Sequence, residues 1–221
     1  MFLGSARALS AGRAGEALRE AEASGDAPGA EQARKALAFS RYYEDARALA
    51  RWMTDWSKSL PPPNRRFIVC SGGGPGVMEA ANRGASEAAG ISIGLGISLP
   101  AEPMHNPYIT RELAFEFHYF FMRKFWFVYL AKALVVFPGG FGTLDELLEL
   151  LTLVQTRKLG KRMPIVLYGT DYWSEVIRFD ALVRWGTIAQ KDLDLFRIAD
   201  APDEAFEYLK GELTRLYLEP E

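Results

Sequence analysis

Residues 138–146 read Pro-Gly-Gly-Phe-Gly-Thr-Leu-Asp-Glu, and this stretch decides the fold. A short apolar run at 133–137 precedes it and predicts a buried strand. Residues 143–157 follow, and their apolar spacing predicts a helix. A strand, a glycine-rich turn and a helix in this order form the repeating unit of a doubly wound parallel sheet.

A second glycine-rich turn follows the same plan. Residues 71–76 read Ser-Gly-Gly-Gly-Pro-Gly, between a predicted strand at 67–70 and a predicted helix at 77–89. Glycine permits sharp turns whose backbone N–H groups approach a ligand, and a helix N-terminus attracts anions, phosphate above all. Gly73 and Gly74 are therefore candidate phosphate-binding residues, although the glycines could also serve tight turns alone.

Neither turn matches a named nucleotide motif. In the G-x-G-x-x-G register, Val77 and Asp145 stand where the third glycine belongs, and neither turn ends as a P-loop does. These departures disfavour a dinucleotide dehydrogenase and an ATPase. They favour a site for a single 5′-phosphate.

The rest of the chain repeats the alternation of short apolar strands and helices. Further strands are predicted at 2–5, 91–95 and 164–168, and further helices at 16–23, 31–57, 120–132, 173–185 and 203–218. This pattern predicts an α/β fold, a Rossmann-like doubly wound parallel sheet with helices on both faces. We expect residues 1–221 to form one nucleotide-binding domain, from which 6–30 extend as a mobile surface excursion.

Composition excludes several classes of partner. The 26 Lys and Arg residues against 28 Asp and Glu give a formal net charge of -2, so no broad basic field exists for nucleic acid or an anionic membrane. The most apolar stretch, 113–137, contains several charged residues, which argues against a membrane span. One cysteine and an N-terminus without signal-peptide features predict a cytoplasmic protein.

Thr143 and Glu146 have the spacing of a helix capping box, T-x-x-E. In that interpretation Thr143 is the N-cap and Glu146 reaches back to its amide. In the other interpretation Glu146 lies one turn below the phosphate-holding turn and faces the crevice. Glu149 lies near the same face, and we expect it to be a solvated side chain.

Residues 115–129 contain nine aromatic side chains around the pair Arg123-Lys124. A helix at 120–132 would be apolar nearly all round, which predicts a subunit interface and a homodimer. Charges among aromatic residues are usually paired or functional, and a guanidinium offers a rigid fork for phosphate or carboxylate. We expect Arg123 to pair with Glu146 across the crevice. His105 and His118 belong to no cluster with metal-ligand spacing, so no metal site is expected.

Three motifs resemble the LONELY GUY (LOG) family. They are residues 71–85, the Met-Arg-Lys run at 122–124, and residues 138–146, which match the family's P-G-G-x-G-T-x-x-E motif at every fixed position. The resemblance extends over about 67–168, and more loosely to the Gly4-Ser5 turn, which makes Ser5 a candidate site residue. Relatives have often been labelled lysine decarboxylases, but no lysine here has a recognisable pyridoxal-phosphate context.

The resemblance implies a Rossmann-like homodimer without a cofactor that hydrolyses nucleoside 5′-monophosphates to free base and ribose 5-phosphate. Cytokinin nucleotides and ordinary purine or pyrimidine nucleotides are both substrates within such a family. The family's catalytic residues fall on Arg123 and Glu146. Its phosphate-binding residues fall on the turn before the helix, at Gly139, Gly140, Gly142 and Thr143, and Lys124 is a further nucleotide-binding candidate.

A carboxylate near the anomeric carbon can stabilise the positive charge that builds on the sugar, or take a proton from water, and this role is assigned to Glu146. Two alternatives belong to other classes. One is a nucleotide sensor or carrier that binds without hydrolysis, and the other is a structural homodimer with relic turns.

Overall fold

The computed structural model describes residues 1–61, 67–98 and 105–219. The strands that it describes are β1 (Phe2–Leu3), β2 (Val69–Ser71), β3 (Ser92–Ile97), β4 (Ala114–Phe117), β5 (Leu134–Val136), β6 (Ile165–Tyr168) and β7 (Arg197–Ala199). The α-helices are α1 (Ala11–Ser24), α2 (Ala27–Phe39), α3 (Arg41–Ser59), α4 (Val77–Glu87), α5 (Phe120–Leu130), α6 (Phe141–Gln155), α7 (Thr170–Val176), α8 (Phe179–Arg184) and α9 (Pro202–Tyr217).

All pairs among the seven strands given above are parallel. One sheet has the order β1-β5-β6-β7 and the other has the order β2-β3-β4. Because β1 also lies beside β2, successive strands run outward from β1 in both directions. This arrangement confirms the predicted α/β fold and creates a switch point at the carboxyl end of β1, where such folds bind ligands.

Side chains of β6 show how the sheet is buried on both faces. Val166 and Tyr168 join the apolar cluster formed with α3, α4 and α9. Ile165 and Leu167 point the other way and join the cluster formed with α6 and α7. All four side chains are fully buried. A continuous apolar run is what a parallel strand covered on both sides requires.

Helices α3 and α4 approach each other closely at a glycine. A Cβ atom at Gly84 would lie 2.1 Å from the backbone oxygen of Arg47. The glycine therefore allows the two backbones to pack together, and α4 is the helix that follows the first glycine-rich turn.

Several element boundaries differ from the predictions. The predicted helix at 31–57 is divided at Ser40, whose hydroxyl donates a hydrogen bond of 2.7 Å to the Leu37 carbonyl and competes with helix continuation. The predicted helix at 173–185 is divided between α7 and α8. Strands β4 and β7 were not predicted, because most of their residues are at least partly exposed and each includes a charged residue, so neither forms a continuous apolar run.

The predicted helix at 16–23 lies within α1. In place of an excursion from the domain, the structure packs part of segment 6–30 onto it: Ala14 is fully buried, and the Ala11 N–H donates to Glu44 Oε1 at 3.0 Å. The single domain over 1–221 stays a prediction. Within the described ranges, no helix has the length and hydropathy needed to cross a membrane.

Candidate functional site

A crevice of about 630 Å³ opens at the carboxyl end of β1, between the two glycine-rich turns. Its polar lining consists of Ser5, Arg7, Arg123, Thr143 and Glu146. Its apolar and glycine lining consists of Leu3, Gly4, Ala6, Gly72, Met78, Ile97, Phe120, Gly140, Phe141, Gly142 and Leu144. A smaller cavity of about 240 Å³ beside β2 and α9 is almost wholly apolar, so the crevice is the better candidate for chemistry.

Ser5 joins the two glycine-rich turns. Its N–H donates to the Pro138 carbonyl at 2.9 Å, and its carbonyl accepts from the Val77 N–H at 3.0 Å. Gly76 makes the second contact feasible, because its φ is +71° and a Cβ there would lie 2.2 Å from the Ser5 oxygen. The end of β1 and the starts of α4 and α6 are thereby held around one crevice.

The N-terminus of α6 faces this crevice. Gly140 is the N-cap residue and supplies no side-chain cap. The N–H groups of Phe141, Gly142 and Thr143 belong to the first turn and have no acceptor within the helix. Since α6 has 15 residues, its dipole adds partial positive charge at this end. The arrangement is suited to an anion.

Thr143 is the third residue of α6, so the capping-box interpretation is wrong. The helix starts earlier than the pattern suggests, since the extended residue Gly140 is the N-cap and Phe141 is the first helical residue. Thr143 is buried. Its hydroxyl packs against Gly139, since a Cβ atom at Gly139 would lie 2.2 Å from Thr143 Oγ1. Glu146 does not reach back to the helix start, because its carboxylate binds Arg123 instead.

Arg123 and Glu146 form a largely buried ion pair, with Nη2 2.7 Å from Oε1 and 13% of each side chain exposed. The Arg123 guanidinium lies 5.4 Å from the Phe120 ring centroid and 5.3 Å from that of Phe127, within cation–π range. Among the described residues its Nε atom, also buried, has no hydrogen-bond partner. The pair is therefore fixed by packing as well as by charge.

Burial raises the pKa of the Glu146 carboxyl above its usual value, against the opposing effects of Arg123 and Lys124. The carboxyl therefore holds its proton to a higher pH than a solvated glutamate does. A raised carboxyl pKa in a crevice, beside a specific charge partner, is typical of functional sites as well as of some structural pairs.

The first glycine-rich turn contributes less to the crevice than expected. The carbonyls of Gly73 and Gly74 accept hydrogen bonds from Asn106 Nδ2 at 3.0 and 3.1 Å, and neither residue lines the crevice. Asn106 also binds buried Asn82 at 3.0 Å. The glycine of this turn that lines the crevice is Gly72, which was not among the predicted site residues. The tight-turn alternative therefore describes Gly73 and Gly74 better than phosphate binding does.

Lys124 and Gly139 also lie outside the crevice lining. Lys124 Nζ lies 2.5 Å from Asp145 and 3.1 Å from Glu149, so it connects α5 to α6 outside the crevice lining. This also corrects the expectation for Glu149, which is paired and not merely solvated. The Gly139 carbonyl accepts a hydrogen bond from the Tyr172 hydroxyl.

The crevice brings together Ser5, Arg123, Gly140, Gly142, Thr143 and Glu146 from the predicted set. Sequence reasoning missed Arg7, Met78 and Phe141. Phe141 occupies the variable position of the glycine motif, and its side chain is 92% exposed. Arg7 carried one usable signal, its place two residues after the Gly4-Ser5 turn.

A protein-family model described as "Possible lysine decarboxylase" matches residues 78–209, more than half of the chain. No curated protein matches. Among solved structures, the molybdenum cofactor binding protein of Rippkaea orientalis is 22% identical with a TM-score of 0.52, over 77% of this chain and 89% of that one. The molybdenum cofactor carrier protein of Chlamydomonas reinhardtii is also 22% identical, with a TM-score of 0.55 over 79% and 89%. These likenesses establish a shared fold.

Proposed function

This chain belongs to the LOG-like family whose model is described as "Possible lysine decarboxylase", and from that membership we propose that it hydrolyses nucleoside 5′-monophosphates. Water adds to C1′ of the ribose, the C1′–N bond breaks, and the base leaves with a proton. The products are the free base and ribose 5-phosphate. The observation that carries the proposal is the buried Arg123–Glu146 pair beside a helix N-terminus in one crevice.

The N-terminus of α6 holds the 5′-phosphate in this proposal. The N–H groups of Gly142 and Thr143 and the partial positive charge of the helix favour an anion there. Binding energy gained at the phosphate orients the sugar, which reacts some distance away.

Glu146 acts on the sugar. One of its oxygens accepts from Arg123, and the other, Oε2, has no hydrogen-bond partner within the described part of the chain. That oxygen is available to stabilise positive charge on the ribose or to take a proton from water. Arg123 positions the carboxylate through the ion pair at 2.7 Å.

A decarboxylase that forms a Schiff base with its cofactor needs a lysine at the reacting centre. None of the described residues that line the crevice is a lysine, and nearby Lys124 is bound to Asp145 and Glu149. The residues present therefore favour hydrolysis at a sugar over lysine-dependent decarboxylation.

The test is a panel of AMP, GMP, CMP, UMP and isopentenyladenosine monophosphate, with free base and ribose 5-phosphate both measured. We expect equal amounts of the two products from an AMP-like or cytokinin nucleotide. Release of no base from any member would contradict the hydrolase proposal.

A second candidate function is a carrier or sensor that binds a nucleotide-like ligand in the same crevice without cleaving it. Its specific support is the shared fold with proteins named as molybdenum cofactor binding or carrier proteins. Calorimetry that shows tight binding of a panel member, together with an absence of product after prolonged incubation, would select this function.

We also propose that the protein is a homodimer through α5. The helix leaves a row of aromatic side chains uncovered in the single chain, with Phe121, Phe125 and Tyr129 exposed by 67%, 55% and 62%. Large exposed apolar patches mark interaction sites. A second copy of the same helix is the occupant that the sequence pattern favours.

A further inference from the structure

Among the described residues that line the crevice, Arg7 is the charged one whose side chain makes no ion pair and no hydrogen bond. The other two charged residues that line it, Arg123 and Glu146, bind each other. Within the described residues, the Arg7 guanidinium makes no ion pair and donates no hydrogen bond, and the side chain is exposed. The described lining of the crevice therefore carries one positive charge, that of Arg7, without an acidic partner.

The backbone at Arg7 is fixed although its side chain is free. The Arg7 N–H donates to Ser5 Oγ at 3.1 Å, and the adjacent Ala8 is buried. Ser5 is itself bound to Pro138 and Val77, so the turn that carries Arg7 cannot move independently of the crevice. A guanidinium on a fixed turn can bind a ligand with little further loss of backbone conformational entropy.

We propose that Arg7 binds the phosphate of the ligand together with the α6 N-terminus, which lines the same crevice. This inference rests on the proposed function, because it takes the α6 N-terminus as the phosphate end of the crevice. A guanidinium offers two parallel N–H donors that match two phosphate oxygens, while the N–H groups of Gly142 and Thr143 serve another. A phosphomonoester carries between one and two negative charges, which the single free charge and the helix dipole together offset.

A contact between Arg7 and phosphate would make the crevice selective for phosphorylated ligands. Ligands with a terminal phosphate should bind through Arg7, and the corresponding unphosphorylated nucleoside should gain nothing from it. Hydrogen bonds to charged groups contribute enough to binding that losing them weakens affinity on the order of tenfold.

The experiment compares Arg7→Gln, Arg7→Lys and wild type by calorimetry with AMP, ribose 5-phosphate and adenosine. Arg51→Gln is the matched control, because Arg51 is exposed on α3 and does not line the crevice. We expect Arg7→Gln to weaken AMP and ribose 5-phosphate about tenfold and to leave adenosine unchanged. Arg7→Lys should recover part of the loss, and Arg51→Gln should match wild type. Thermal unfolding of each variant verifies that it is folded.

Three results would overturn the role of Arg7. One is unchanged AMP affinity in folded Arg7→Gln, another is an equal loss in Arg51→Gln, and the third is wild-type affinity for AMP no greater than for adenosine. Failure of the hydrolase proposal looks different. If wild type releases no base but Arg7→Gln still loses phosphate-dependent affinity, hydrolysis is wrong and the role of Arg7 stands.

Discussion

Burial and the neighbouring positive charges shift the pKa of the Glu146 carboxyl in opposite directions. Desolvation raises the pKa of its carboxyl, and Arg123 at 2.7 Å works against that rise. A group with a raised pKa in the folded state binds its proton more tightly there than in the unfolded chain. Ionising Glu146 therefore costs folding free energy, at the position where the proposed hydrolysis needs a carboxylate.

This balance predicts a pH-dependent effect of Glu146→Gln on stability. Above the unfolded pKa of about 4.5, wild type loses free energy of unfolding as the pH rises through the folded pKa, because the folded state still holds a proton that the unfolded state has released. The Gln side chain cannot ionise, so the variant lacks this loss. Urea unfolding from pH 4 to 8 should show the difference, variant minus wild type, increasing with pH.

Asp180→Asn is a suitable control, because Asp180 is exposed and the pKa of its carboxyl is lowered by Arg184 and then Arg178, the opposite direction. If the free energy of unfolding of Glu146→Gln minus that of wild type stays flat or falls as the pH rises, the ion pair with Arg123 affects the Glu146 pKa more than desolvation does.

Elements with one buried face were predictable from the sequence, and elements defined by contacts were not. Helices α4, α6 and α9 begin and end within two residues of their predicted bounds because their apolar spacing is continuous. The division at Ser40 could not be predicted, since one serine is tolerated in a helix and the burial of Ser40 follows only from the folded structure. At the site, the pairing of Arg123 with Glu146 followed from the motifs. The hydrogen bonds from Asn106 to the Gly73 and Gly74 carbonyls join residues 32 or 33 positions apart in sequence, so local pattern could not predict them.

The close packing of α3 on α4 predicts that a methyl group added at Gly84 lowers stability. Gly84→Ala should destabilise the protein by about 2 kcal/mol, because the new methyl group meets the Arg47 carbonyl at 2.1 Å. Gly211→Ala in α9 is the matched control. With nothing within 4 Å of its Cβ, it should stabilise by roughly 0.5–1 kcal/mol through helix propensity. Midpoints of urea unfolding measure both, and equal shifts of the same sign would refute close packing at Gly84.

Among the described residues, the exposed aromatic side chains of α5 and the exposed Trp185 differ in kind. Along α5, aromatic side chains form a continuous row, with Phe125 and Tyr129 stacked at 5.5 Å between ring centroids. Trp185, which is 83% exposed, lies at the end of α8 outside that row. A row of aromatic residues can bury enough area for association, whereas a single exposed residue needs no explanation.

Phe125→Glu should therefore convert a dimer into a monomer of 24.7 kDa, because a carboxylate in the interface would be desolvated without a partner. Light scattering after gel filtration measures the mass, and Trp185→Glu should leave it unchanged. A monomeric wild type, or a dimer that survives Phe125→Glu, would contradict the proposed interface.

The central claim is that Glu146 acts on a sugar whose phosphate is held at the start of α6. Its most direct test is product analysis of wild type and Glu146→Gln with the nucleotide that wild type cleaves best, under single-turnover conditions and with affinity measured in parallel. We predict that Glu146→Gln binds that nucleotide within a few fold of wild type and releases base at least on the order of a hundredfold more slowly, the size expected for loss of a catalytic acid–base group. Base release by folded Glu146→Gln at the wild-type rate would contradict the claim.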